Sequence, residues 1–243
     1  MKPYGPLAPI YDELTADVPY ADFAAFYEEL LACKPGATIL DMCCGTGTLA
    51  CLFALKGYEM LGTDMSGEML CAAQEKASDL QCAVPPMFLC QSAAELDLYG
   101  TVDGAFCSLD AVNYIPCDDL AQMFSRLHLF IIPGGTLAFD IHSPEHLKNL
   151  DGEIFVDESE GLLCLWRAQF SDAENALFYG MDIFSQHGKA WNREQEEHVE
   201  YAHNPEMLCK MLEAAGFCNC EIIKTGPQSD MGRIFISAKN TAH

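Results

Sequence analysis

Residues 39–50, "ILDMCCGTGTLA", constrain this chain more than any other stretch. An apolar run ends at Asp41-Met42, a glycine-containing turn follows, and a second apolar run opens at once. A buried strand, a tight turn and the first turn of a helix satisfy that order. The helix start then offers unpaired N–H groups to a ligand. Gly45 through Ala50 also match G-x-G-x-x-A, the pattern of dinucleotide-binding folds, which taken alone is a weak signal. What needs explaining is the carboxylate of Asp41, four residues before the first glycine.

The flanking sequence supplies the rest of an alternating fold. Phe23, Phe26, Tyr27, Leu30 and Leu31 recur at helical spacing and are closed by Pro35-Gly36. "ATILDM" predicts a strand and "GTLACLFALKGY" a helix. "EMLGTDMS" predicts the next strand, with Ser66 capping the helix "GEMLCAAQEKASDL". Strands follow in "PPMFLCQSAAEL" and "TVDGAFCSLDAVNYI", then the helix "DDLAQMFSRLHLFI", a turn at Pro133-Gly134-Gly135 and the strand "TLAFDIHSP". Strands alternating with helices imply right-handed crossovers and a parallel sheet covered on both faces.

After about Pro144 the pattern changes. "EIFVDE", "LLCLWRAQF", "NALFYGMDIFSQ" and "KAWNREQEEHVEYAH" are strand-like and separated by turn segments, so residues 145–202 are expected to form an antiparallel β insertion. The main domain is then residues 1–144 and 203–243, resuming with the helix "NPEMLCKMLEAAGF" and the strands "CNCEIIK" and "RIFISAK". The acidic run "REQEEHVE" is read as a solvated strand edge.

Charge narrows the partners. With 13 Lys+Arg against 36 Asp+Glu, the formal charge is -23, and nucleic acid or an anionic membrane is not an expected direct partner. The opening segment has no continuous apolar run of a secretory signal, and "LHLFIIPGGTLAFDI" is too interrupted to span a bilayer, so a soluble, cytoplasmic chain is expected. The 13 cysteines are scattered and mostly in apolar runs, which predicts free buried thiols rather than disulfides. No C-x-x-C pair exists and His142 and His146 flank Ser143-Pro144, so no metal site is expected.

Two cofactors suit the glycine loop, NAD and S-adenosylmethionine, and both carry a ribose that Asp64, ending the second strand, can hold. Asp41 separates them. A pyrophosphate would meet a like charge there, and partly desolvated like charges a few ångströms apart repel by roughly a kilocalorie per mole or more. S-adenosylmethionine brings a sulfonium and an ammonium, which an acid-rimmed loop attracts. Asp41 can alternatively cap local backbone amides.

With these residues in view, the chain resembles a known family. "ILDMCCGTGTLA" is similar to the glycine motif of class I S-adenosylmethionine-dependent methyltransferases, and "LGTDMSGEMLCAA" to their second-strand acid and following helix. "SLDAVNYI", "IIPGGTLAFDI" and "MLCKMLEAAGF" resemble later segments of that family. "YDELTADVPYADFAAFYEELL" resembles the start of a bacterial small-molecule-type subgroup with a β insertion before the sixth strand. The resemblance implies a Rossmann-like α/β fold: a seven-stranded, mostly parallel sheet with helices on both faces, an antiparallel last strand, and the small β insertion as a lid. It also implies site roles. Gly45 and Gly47 approach the methionine moiety, Asp41 faces its ammonium, Asp64 holds the ribose and Met65 packs on the adenine. Ser92 and Ala93 line the adenine edge, where many members carry an acid and this chain does not. Leu109 and Asp110 lie beneath the transferable methyl, and Tyr11 closes over the cofactor or else packs as a core aromatic.

On the acceptor side, Asp110, Asn113, Tyr114 and His142 come from strand ends that converge on the ligand crevice of such sheets. Asp110, Asn113 and His142 are the catalytic candidates, with His142 either a base or a structural histidine. Beyond the fourth strand the chain reads "DAVNYIP", not the Asn-Pro-Pro-aromatic motif of adenine or glutamine methylases. From the insertion, Trp166, Tyr179, Trp191 and Arg193 are candidates to face the substrate; Arg193 reads equally as a carboxylate clamp or as a partner of Glu196 or Glu197. The expected function is methyl transfer from S-adenosyl-L-methionine to a small molecule, a homodimer being compatible with it. The alternatives are an NAD-dependent oxidoreductase and a non-catalytic cofactor-binding regulatory protein.

Overall fold

The computed structural model describes residues 4–242. Helices α1 (Tyr11–Leu14) and α2 (Tyr20–Leu31) precede β1 (Thr38–Met42), α3 (Thr48–Leu55), β2 (Glu59–Asp64), α4 (Gly67–Ser78), β3 (Met87–Cys90) and β4 (Val102–Cys107). Then come α5 (Cys117–Phe130), β5 (Ile131–His142) and α6 (Pro144–Asn149). The strands β6 (Ile154–Ser159), β7 (Leu162–Ser171), β8 (Ala176–His187) and β9 (Ala190–Tyr201) lead to α7 (Pro205–Ala215), β10 (Phe217–Ile223) and β11 (Arg233–Asn240).

Seven strands form one sheet in the order β10-β11-β5-β4-β1-β2-β3. The central pairs are parallel, whereas β11 runs antiparallel to both β5 and β10. Both faces are covered, as the continuous apolar strands require. Phe23 and Tyr27 of α2 with Leu49 and Phe53 of α3 pack on one face; Leu120 and Phe124 of α5 with Leu208 and Leu212 of α7 pack on the other. Phe106 stacks between Tyr27 and Phe53, with centroids 5.1 Å from each. Burying each such side chain contributes about 1.5–3 kcal/mol. Ser66 caps α4 by accepting the Met69 N–H at 3.2 Å. The expected break at Pro133-Gly134-Gly135 is absorbed into β5 as a register shift against β4, with Gly134 in the left-handed region.

A second, four-stranded antiparallel sheet runs β6-β7-β8-β9. The segment before α2 joins it to the main sheet. Leu7 packs with Leu162, Cys164, Met181 and Ile183, while Asp12 accepts the Thr46 hydroxyl at 2.6 Å and pairs with Lys76 at 2.8 Å.

Two expectations need correction. The run "REQEEHVE" is not simply a solvated edge: Glu197 is exposed, but Glu196, His198 and Glu200 alternate with Glu197 and Val199 and are at most 4% exposed. The two-residue period of a strand sends every second side chain inward, whatever its polarity. The cysteines are also not uniformly free and buried. Packing of α7 on β10 brings Cys209 and Cys220 to a Cα separation of 5.7 Å and they are bonded, while Cys71, Cys90 and Cys117 are exposed. Among the described residues, no helix is long and apolar enough to cross a membrane.

Candidate active site

The turn after β1 is built around two left-handed glycines. Gly45 (φ 53°) has open space where a Cβ would stand and lines a cavity of about 470 Å³ at the tips of β1, β2 and β4. Gly47 (φ 70°) does not reach that cavity as expected. It begins α3, and a Cβ there would meet the Phe88 ring at 2.8 Å, so its role is close packing against β3. Asp64, at the end of β2, fixes the turn: Oδ2 accepts the Gly45 N–H and Oδ1 the Ser66 N–H, both at 2.9 Å. Burial raises its pKa, against the pull of those amides.

Asp41 lines the same cavity, 1% exposed, and neither carboxylate oxygen has a hydrogen-bond partner among the described residues. Burial first and the Asp64 carboxylate second push its pKa well above the usual range, against a weaker pull from the Ala50 amide. Tyr11, Met65, Ser92, Ala93, Leu109 and Tyr114 complete the wall, and neither Lys nor Arg is among the lining residues. Among the described residues that line it, a diphosphate would find no Lys or Arg. A cationic amino-acid group finds the buried, unpaired carboxyl of Asp41 and the partly buried one of Asp64, so the residues present fit S-adenosylmethionine.

A smaller cavity of about 190 Å³ adjoins the first; Tyr4, Tyr11, Leu109, Tyr114 and His198 line both. Trp166 and Asp110 line the smaller one. Leu109 and Asp110 are both left-handed, at φ 55° and 54°, and Asp140 holds that strained turn by accepting their N–H groups at 2.9 and 2.8 Å. Tyr27 donates to Asp140, and Arg233 pairs with it and with Asp110, at 3.0 Å to the latter. Arg233 and Asp140 carry no signal in the local sequence pattern. They meet because β11 lies antiparallel on β5, with Arg233 opposite His142.

Asn113, His142, Tyr179, Trp191 and Arg193 line neither cavity. Asn113 is fully buried: its amide donates to Tyr201 O at 2.9 Å and its oxygen accepts the His142 N–H at 2.9 Å, which makes it a staple outside both cavities. His142 lies between Glu200 Oε2 (3.3 Å) and Arg233 (3.2 Å) and lines neither cavity. Burial lowers its pKa, but Asp110 and Glu200 more than offset this and leave it raised, against a weaker opposing pull from Arg233. Ligand atoms of Asp110, His142 and Glu200 lie within 4.8 Å of one another, and the guanidinium of Arg233 already contacts the first two. Burial pushes the Asp110 carboxyl up to about 6 despite the opposing pull of His142 and Arg233. Arg193 pairs with neither glutamate; it meets Asp182 at 2.6 Å across the β8–β9 pair, outside both cavities. Tyr179 lies by Glu200 and outside both cavities, and Trp191 is 50% exposed. His198, which faces both cavities, was hidden within the acidic run.

The comparisons with known proteins agree with this geometry. Residues 39–135 match a family model described as a methyltransferase domain. YqeM of Bacillus subtilis (strain 168), a chain named as a methyltransferase, is 30% identical over 98% of this chain and 97% of its own. The solved structure of an S-adenosylmethionine-dependent methyltransferase from Clostridium acetobutylicum superposes with a TM-score of 0.82 at 27% identity, covering 98% of this chain and 99% of that one. The sugar N-methyltransferase KedS8 of Streptoalloteichus shares the fold at a TM-score of 0.78 and 20% identity, over 96% and 93% of the two chains.

Proposed function

This chain belongs to the class I S-adenosylmethionine-dependent methyltransferases, and from that premise we propose that it methylates a small, polar, non-anionic acceptor held in the smaller cavity. The observation that carries the reading is the junction of the two cavities, walled by Tyr4, Tyr11, Leu109, Tyr114 and His198.

Bound in the larger cavity, S-adenosylmethionine supplies a methyl group on a positively charged sulfur. The protein's part is to align it. Asp41 balances the ammonium charge, Asp64 takes the ribose hydroxyls, and Met65, Ser92 and Ala93 flank the adenine. Asp140 fixes Leu109 and Asp110 at the end of β4, which sets the height of the floor between the cavities. Such positioning supplies several kcal/mol of rate enhancement in group transfer, on the order of 7–11 in the best oriented cases. Tyr11 and its segment, anchored through Asp12 to Thr46 and Lys76, exclude water from that floor.

The smaller cavity is rich in aromatic rings, and Arg233 in its wall is already paired with Asp110 and Asp140, so among the described residues an anionic acceptor finds no free cation there. A sugar N-methyltransferase shares the fold, which puts sugar-sized hydroxylated and aminated molecules first in line. The test is transfer of a labelled methyl group to a library of such molecules and to metabolite pools. Label in one small neutral or basic product supports the reading; label only in protein or nucleic acid contradicts it.

A further inference from the structure

The inner face of β9 carries Glu196, His198 and Glu200 in alternation. Glu200 is engaged, accepting from Tyr114 at 3.2 Å and meeting His142 at 3.3 Å. Glu196 Oε2 accepts the Leu7 N–H at 3.0 Å. His198 is different. Its side chain is 2% exposed, and its buried Nε2 has no hydrogen-bond partner among the described residues. Glu196 Oε1, also unpaired, stands 3.8 Å from that nitrogen. Leaving a buried polar atom unsatisfied costs about 1–3 kcal/mol. Two such atoms face each other behind the cavity wall that His198 lines, and they need a reason.

The place where methyl donor and acceptor meet is bounded by the five residues common to both cavities: three tyrosines, a leucine and His198. Burial raises the pKa of Tyr4, Tyr11 and Tyr114, so their hydroxyls stay protonated and can donate but not take a proton. The titratable groups that face His198 are Tyr4 (4.9 Å between ring centroids), Tyr114 (6.0 Å), Tyr179 opposite it on β8, Asp110 across the smaller cavity, and Glu196 and Glu200 on its own strand. Arg233, which lines the smaller cavity, is neutralised by two aspartates. Burial outweighs the pull of Glu200 and lowers the His198 pKa, so its ring stays neutral at pH 7.

We propose that His198 is the general base of the methyl transfer and that Glu196 is a positioning residue behind it. This rests on the reading of the two cavities as donor and acceptor sites. An acceptor N–H or O–H bond breaks, its proton passes to a ring nitrogen of His198, and the electron pair stays on the acceptor atom. That atom forms the bond to the methyl carbon as the carbon–sulfur bond breaks, its pair leaving on sulfur. The positive charge that began on sulfur ends on the imidazolium, and Glu196 Oε1 lies across from Nε2 to balance it. Base and orienting carboxylate in series is a recurrent way to hold an imidazole ready.

The test uses the full chain with 15N-labelled histidine and S-adenosylhomocysteine bound. The His198 signal is assigned by its loss in His198→Gln. The expected result is a neutral ring at pH 7, a titration midpoint below 6.5, and a further fall in Glu196→Gln. With the acceptor found by the labelled-methyl screen, His198→Gln is expected to lower kcat at least about 100-fold, as loss of a general base does. The acid limb of its pH profile should vanish. A His198 ring protonated at pH 7, or a His198→Gln variant with an unchanged pH–rate profile, overturns the proposal. The ring titration needs no turnover, so its failure is separable from failure to find an acceptor.

Discussion

Asp64 joins the two halves of the cofactor loop: one carboxylate oxygen accepts the Gly45 N–H, and the other accepts the Ser66 N–H at the start of α4, each at 2.9 Å. The acid at the end of β2 therefore shapes the glycine turn as well as facing the cavity. Asp64→Ala is expected to weaken S-adenosylhomocysteine binding by about 100-fold, since hydrogen bonds to a charged group contribute about 1.5–3 kcal/mol each. Calorimetric titration reads the loss, and urea denaturation should show a smaller loss of stability.

The two loop glycines should fail differently. At Gly45 an added Cβ enters open space, so Gly45→Ala should fold with a modest penalty of about 1–2 kcal/mol for the left-handed backbone and lose cofactor affinity. At Gly47 the Cβ meets Phe88 at 2.8 Å, so Gly47→Ala should lose more stability than Gly45→Ala. Paired urea melts and ligand titrations separate the two.

Arg233 compensates two carboxylates, the buried Asp140 and the partly buried Asp110. Arg233→Met leaves both without their cation, and removing one partner of a buried ion network costs about 3–5 kcal/mol. Arg233→Lys should recover only part of this, because an ammonium cannot span both acids as the guanidinium does. Thermal denaturation of the two variants provides the check.

His203 provides a pH signature. Its Nε2 is 2.9 Å from Ile115 O, and burial lowers its pKa against the favourable pull of the Ile115 and Val112 carbonyls. The unfolded chain then binds the proton more readily than the native one. The stability His203 contributes is fully present above about pH 6.5, the unfolded value. It is lost as pH falls through the folded value. The gap between wild type and His203→Gln in urea denaturation should narrow from pH 7.5 to pH 5.

The sheet and the cofactor loop were legible because their signals are local: an apolar run, two glycines and an acid at the next strand's tip specify Gly45, Asp41 and Asp64. The acceptor side was not. Asp140 and Arg233 are 93 residues apart and meet only through the antiparallel seating of β11 on β5. In β9 both faces are polar, so the strand's alternation left no apolar period to mark Glu196, His198 and Glu200 as inward. Asn113 and Arg193 had the right chemistry, but their hydrogen bonds are consumed by Tyr201 and His142 in one case and by Asp182 in the other.

Asp41 is a buried carboxyl with both oxygens unpartnered among the described residues, and its proposed role is to meet the cofactor ammonium. The direct measurement is calorimetric titration of S-adenosylhomocysteine, which carries the same ammonium, at pH 6 in two buffers of different ionisation enthalpy. The predicted result is release of a proton from Asp41 on binding, seen as a buffer-dependent heat, with both that release and tight binding lost in Asp41→Asn. Tight binding with buffer-independent heat, unchanged in Asp41→Asn, would contradict it.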